Sequence, residues 1–182
     1  MERRFVMWDL EKDYKELIDA CAKEKRNQTI ENGHAKHATY LLAKLFETAR
    51  TKVNIYSGSL SNEVFGDNDL QKSALDFINR ESTKLTIVVQ NDVRDNNKFI
   101  DFISKYGKEN VDIRLFNNPD KKIINHFAVM DESGYRFEID DKKMKAAANF
   151  GDKKVTGKLY KIFDYLYQHS EGILPFGSVA QS

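Results

Sequence analysis

The residues best suited to chemistry in this chain fall between positions 125 and 150. His126 opens an apolar run, Asn125-His126-Phe127-Ala128-Val129-Met130-Asp131. A short Asp-Glu-Ser-Gly turn follows, then the alternating Tyr135-Arg136-Phe137-Glu138-Ile139, then Ala146-Ala147-Ala148-Asn149-Phe150. Side chains two apart on a strand share a face, so Arg136 and Glu138 point the same way. A twisted sheet that gathers His126, Arg136, Glu138 and Asn149 at one end would assemble a phosphate site. The imidazole would act as nucleophile, the guanidinium and the amide would ligate phosphate oxygens, and the carboxylate would orient its neighbours. Asp131, Ser57 and Ser59 are supporting candidates, the two serines because Ser57-Gly58-Ser59 forms a small-residue turn after a strand.

Other groups invite plainer readings. His34 and His37 stand at helical i, i+3 spacing, where two imidazoles can share a metal. The sequence offers no third ligand, so polar residues at a helix start are the simpler account. Lys142, Lys143, Lys145, Lys153, Lys154, Lys158 and Lys161 form the only local basic concentration, interrupted by Asp140, Asp141 and Asp152. A solvated face explains them, while their place around Asn149 keeps a phosphate role open. Most of the 8 tyrosines and 12 phenylalanines fall at core positions of helices and strands and so read as core rather than as base-stacking platforms. Trp8 reads as an N-terminal anchor or an oligomer contact. The chain has no Gly-rich phosphate loop, no Cys-rich zinc pattern and no Gly-x-Ser-x-Gly elbow.

The bulk numbers set the frame. A chain of 182 residues, 41% hydrophobic and 31% charged, fits one globular domain with a single core. Its 29 basic and 28 acidic residues leave a formal charge of +1, so no global field favours nucleic acid and any basic surface is local. The single cysteine, Cys21, suits a reducing compartment and a buried apolar role. No apolar run approaches the roughly 20 residues needed to cross a bilayer, and no signal-type core follows Met1, so no membrane partner and a cytoplasmic location are expected.

Periodicity supplies the elements that must position these residues. Apolar spacing predicts helices over 9–25, 37–50, 69–80, 98–106 and about 154–169. Asn68 or Asp69 would cap the third, and Gly107 would close the fourth. Strands are expected from Val53, over Leu85–Gln90 and Val111–Phe116, in the hairpin after His126, and over Met144–Phe150. Alternating β and α in the middle predicts an α/β fold with a mixed, mostly parallel sheet and helices on both faces.

This order, with His126, Asp131 and Ala147-Ala148-Asn149-Phe150 in its last third, resembles one half of the phospholipase D superfamily over roughly 35–170. The signature there is a histidine, a lysine two residues on, an aspartate some five further, and a Gly-Ser-x-Asn strand. His126 matches the nucleophile, Asp131 resembles the aspartate two residues early, and Asn149 matches the asparagine. Ala128 stands where the lysine belongs, and alanines replace the glycine and serine. Ile55-Tyr56-Ser57-Gly58-Ser59-Leu60 is similar to that fold's first strand, which ends over the site. The resemblance implies an N-terminal helical extension at 1–34, a phospholipase-D-like domain at 35–171 and a flexible tail at 172–182. It implies a homodimer too, since one histidine per chain needs a second as general acid. The function it implies is a degenerate phospholipase-D-like protein binding or cleaving a phosphodiester, nucleic acid first, without cofactor or metal. Single short domains of this type resemble bacterial or phage proteins of defence systems. Arg136 would supply the missing cation from the facing strand, and Glu138 would orient His126 or Arg136. The rivals are a non-catalytic module that keeps the fold to bind a protein partner, and a metal-assisted hydrolase using His34 and His37.

Overall fold

Fourteen elements alternate along the chain of this computed structural model, which describes residues 10–107, 109–119, 124–140 and 145–173. They are α1 (Leu10–Glu24), β1 (Ile30–Asn32), α2 (Ala35–Thr48), β2 (Lys52–Ser57), α3 (Asn62–Phe65), α4 (Asn68–Ile78) and β3 (Lys84–Val89). After them come α5 (Lys98–Tyr106), β4 (Val111–Phe116), β5 (Phe127–Met130), β6 (Gly134–Asp140), β7 (Lys145–Asn149), α6 (Lys153–Gln168) and β8 (Ser170–Gly172). Trp8, Lys142, Lys143, Met144 and the tail beyond Ile173 lie outside the described residues.

All eight strands join one sheet in the order β1-β7-β6-β5-β2-β3-β4-β8. The parallel part expected from the β-α alternation is the run β2-β3-β4, with β8 alone beyond it on one side and four strands on the other. Both flanks are antiparallel: β5-β6 and β6-β7 are consecutive strands whose short connections suit antiparallel pairing, while β1-β7, β2-β5 and β4-β8 join strands distant in sequence. β1, β8 and the single-turn α3 escape the sequence pattern, being three or four residues long.

Strand alternation sends side chains into two cores. On one face Val53 and Ile55 of β2, Ile87 of β3 and Ala128 and Met130 of β5 pack with Ile18 and Cys21 of α1, Leu41 and Phe46 of α2 and Leu70 and Phe77 of α4. On the other, Tyr56, Val88, Phe127 and Val129 meet Leu159, Phe163 and Leu166 of α6. Side-chain caps set the helix starts. Asp67 Oδ1 accepts from the Asp69 and Leu70 amides at the start of α4, one residue ahead of the expected cap. Asn97 does the same for α5 and Asp152 for α6. Among the described residues no helix is long and apolar enough to cross a membrane.

Candidate functional site

His126 immediately precedes β5 on the face that carries Ala128 and Met130. Its carbonyl accepts the Glu138 amide at 2.9 Å, which sets Glu138 beside it across the hairpin. One step further along β6, the register pairs Arg136 with Ala128 on one side and Ala148 of β7 on the other. Two methyl neighbours leave room for a long side chain to lie across the sheet. Ile30 and Asn32 of β1 extend the same face, opposite Ala148 and Ala146.

These residues form a hydrogen-bonded chain. His126 Nδ1 lies 3.0 Å from Glu138 Oε2. Arg136 Nη1 donates to Glu138 Oε1 at 3.0 Å, and Arg136 Nε donates to Asn32 Oδ1 at 3.3 Å. An ionised carboxylate only accepts, so in the neutral imidazole it holds the proton on Nδ1 and leaves the lone pair on His126 Nε2. Burial alone would raise the Glu138 pKa. The His126 hydrogen bond and the Arg136 charge and hydrogen bond outweigh it, and the carboxyl titrates below the usual range. The Arg136 side chain is 7% exposed, those of His126 and Glu138 28% and 21%, so His126 and Glu138 meet solvent while Arg136 lies beneath them.

His126, Arg136 and Glu138 line a cleft of about 190 Å³ together with Ser57 at the end of β2, Ser59 and Ser61 beyond it, and Ala38 and Leu42 of α2. Gly58 lies so close that a Cβ there would stand 3.0 Å from both Cε1 and Nε2 of His126. Such a cleft presents a lone-pair nitrogen, a guanidinium neutralised by a carboxylate, and hydroxyls, a set suited to an oxyanion rather than to a cation.

Two sequence candidates lie elsewhere. Asn149 is paired with Tyr135, one residue out of phase with Arg136 and Glu138, and so belongs to the other face. Its Nδ2 donates to Asn27 Oδ1 at 3.0 Å and its Oδ1 accepts the Gly151 amide at 2.8 Å, so the amide holds the β7–α6 turn. Asp131 stands at the far end of β5, where its carboxylate accepts the amides of Arg50, Thr51 and Lys52. Five residues of strand separate it from His126, roughly 16 Å. The His34 and His37 ring centres lie 3.6 Å apart with the rings tilted by 39°, and His37 stacks on Tyr14 at 3.8 Å. No group of three or more His, Cys, Asp or Glu able to hold a metal occurs among the described residues. The described lysines of the basic run lie on β7 and on α6, which packs against the sheet face opposite the cleft. Asn32 and Asn97 escape sequence reasoning altogether. Asn32 ends a three-residue strand, and Asn97 looks like nothing more than a helix cap.

Residues 34–176 match the model of a family described as a domain of unknown function (DUF7931). No curated protein matches the sequence. Among solved structures, the chain is similar to TrmBL2, an archaeal chromatin protein whose structure shows a mode of DNA binding, at TM-score 0.60 and 16% identity; the match covers 90% of this chain and 62% of TrmBL2. It is similar to Nuc, a phospholipase D family member of Salmonella typhimurium, at TM-score 0.59 and 12% identity, covering 81% of this chain and 97% of Nuc. NucT of Helicobacter pylori gives TM-score 0.57 and 14% identity, covering 80% of this chain and all of NucT. At such identities the likeness is one of fold, a mixed α/β fold similar to phospholipase-D-type domains.

Proposed function

The chain belongs to the DUF7931 family, and from that premise we propose that its His126 cleft handles a phosphodiester, with nucleic acid as the substrate class and His126 as the nucleophile of a metal-independent cleavage. The observation that carries this reading is the chain of bonds from Asn32 through Arg136 and Glu138 to His126, ending on a nitrogen lone pair beside a row of serines. The His126–Ala128–Asp131 and Ala147–Ala148–Asn149 segments then form a degenerate phospholipase D motif. Arg136 stands in for its lysine, because the residue at the lysine's position, Ala128, is the direct cross-strand partner of Arg136. A guanidinium serves phosphate at least as well as an ammonium. The DNA-binding chromatin protein and the phospholipase D family member among the similar folds support a phosphodiester ligand.

In the reaction His126 Nε2 forms a bond to phosphorus, the bond to one ester oxygen breaks, and that oxygen takes a proton from the His126 imidazolium of a second copy. Water then cleaves the phosphorus–nitrogen bond. The reading therefore includes a homodimer. Its test is cleavage of single- and double-stranded DNA and RNA in the presence of chelator, with oligomeric state measured by light scattering. Chelator-resistant cleavage that disappears in His126→Ala supports it; cleavage undiminished in His126→Ala sinks it.

One observation favours a second reading, a binding module without turnover. Arg136 already spends Nε and Nη1 on internal bonds and Glu138 neutralises it, so less of its charge is left for a transition state than a free lysine would supply. Nucleic acid retained without cleavage, and equally by His126→Ala, selects this reading; a protein ligand in place of nucleic acid selects the interaction module.

A further inference from the structure

We infer that the Ser57–Ser61 turn is an oxyanion-holding wall of the cleft, that the Ser59 amide, aimed by the tie of the Gly58 carbonyl to Asn91, is its donor, and that Asn97 is the positioning residue that anchors the Ser59 side of the turn. The inference rests on the phosphate reading of the His126 cleft. Four successive carbonyls of the turn are tied to the segment between β3 and α5. The Ser57 carbonyl accepts the Gln90 amide at 3.0 Å, and the Gly58 carbonyl accepts both the Asn91 amide at 2.9 Å and Asn91 Nδ2 at 3.2 Å. Asn97 Nδ2 donates to the carbonyls of Ser59 at 2.9 Å and Leu60 at 3.0 Å.

In a trans peptide the amide N–H points opposite to the preceding carbonyl. The Gly58 carbonyl drawn toward Asn91 turns the Ser59 N–H the other way, and the Ser59 carbonyl drawn toward Asn97 does the same for the Leu60 N–H. The Leu60 amide shows which side that is, for it donates to the hydroxyl of Ser57, a residue that lines the cleft. The Ser59 amide makes no hydrogen bond to any described residue. It follows Gly58, whose missing side chain lets the His126 ring approach. A donor directed to the cleft side, next to the nucleophile, is where charge grows on a non-bridging phosphate oxygen.

The arrangement is held under strain. Leu60 has φ of 52°, a left-handed conformation that a branched side chain rarely adopts, and its side chain is fully buried. Asn97 is 6% exposed and fully engaged: its Oδ1 caps α5 through the amides of Phe99 and Ile100, while its Nδ2 holds the turn. Aspartate at 97 keeps the cap and loses both donors to the turn.

The test is an amide-resolved NMR titration of the full chain with inorganic phosphate, run on the wild type and on Asn97→Asp. In the wild type the Ser59 amide and the His126 imidazole signals move together with one dissociation constant. In Asn97→Asp the Ser59 response collapses and phosphate affinity weakens about ten-fold, the worth of one hydrogen bond to a charged acceptor, while the α5 amide signals stay in place. Asn97→Ser, which can also cap α5, carries the same expectation should the aspartate variant unfold. A His126 response without one at Ser59 overturns the inference and leaves the cleft reading standing. A Ser59 response unchanged in both variants overturns the role of Asn97. No response at either residue removes the phosphate reading and this inference with it.

Discussion

An alanine at position 58 would bring its Cβ to 3.0 Å from the His126 ring, closer than such contacts normally run, so the ring must yield by a few tenths of an ångström. Because the geometry of attack is more demanding than the stability of an outer side chain, Gly58→Ala should reduce cleavage about ten-fold while the melting temperature stays nearly constant. Parallel rate and melting measurements check it, and an equally active variant would show that the ring edge is idle. Glu138→Gln leaves one acceptor oxygen where the carboxylate offers two, so His126 and Arg136 cannot both keep their partner, and the charge opposite Arg136 is lost. Expected are a loss of about 100-fold in cleavage and about 1–3 kcal/mol of stability, the latter because a buried guanidinium loses its counter-charge. Denaturant unfolding separates the two effects.

Among the elements, the β5–β6 hairpin is fastened at both ends by carboxylates with opposite duties. Glu138 serves the cleft, and Asp131, in a left-handed turn position, fastens the hairpin to the start of β2. Burial would raise the Asp131 pKa, but the amides of Thr51, Arg50 and Lys52 and the Thr51 hydroxyl prevail and lower it. Both carboxyls are thus depressed on folding. The unfolded chain takes up their protons first, so stability is complete above about pH 5 and drains away as pH falls through the lower native values. Asp131→Asn should unfold more easily at pH 7 and lose less stability below pH 4 than the wild type, with cleavage at pH 7 unchanged. An unaltered acid limb in chemical unfolding would contradict this. The same elements explain what sequence could reveal. Arg136 and Glu138 lie two apart on one uninterrupted strand, so their common face followed from alternation. Asn149 did not, because β6 and β7 meet with a register shift between Glu138 and Asp140, and residue parity cannot be counted across it. Asp131 was misleading for another reason: a match in spacing carries no information about which end of a strand a residue occupies. Asn32 and Asn97 act through partners 104 and more than 30 residues away, distances at which no local pattern operates.

For the molecule as a whole, a formal charge of +1 and a cleft neutralised by its own glutamate leave little long-range pull on a polyanion. Binding to a single strand through about two phosphates should weaken only about seven-fold between 50 and 200 mM salt, against about 10³-fold or more for a broad basic interface. A salt titration by anisotropy measures the slope directly, and a steep one would point to the lysines of α6 rather than to the cleft.

The short strand β1 has a reach beyond its three residues. It closes the ladder of β7, pairing Ile30 with Ala148 and Asn32 with Ala146, and its last residue holds the Arg136 guanidinium. The stretch that matches the family begins at 34, two positions later. A fragment cut there would bare an adhesive seam along the alanines of β7, inviting copies to stitch edge to edge, and would unhook the cation at the same stroke. Aggregation and loss of ligand would then arrive together, two failures with a single origin.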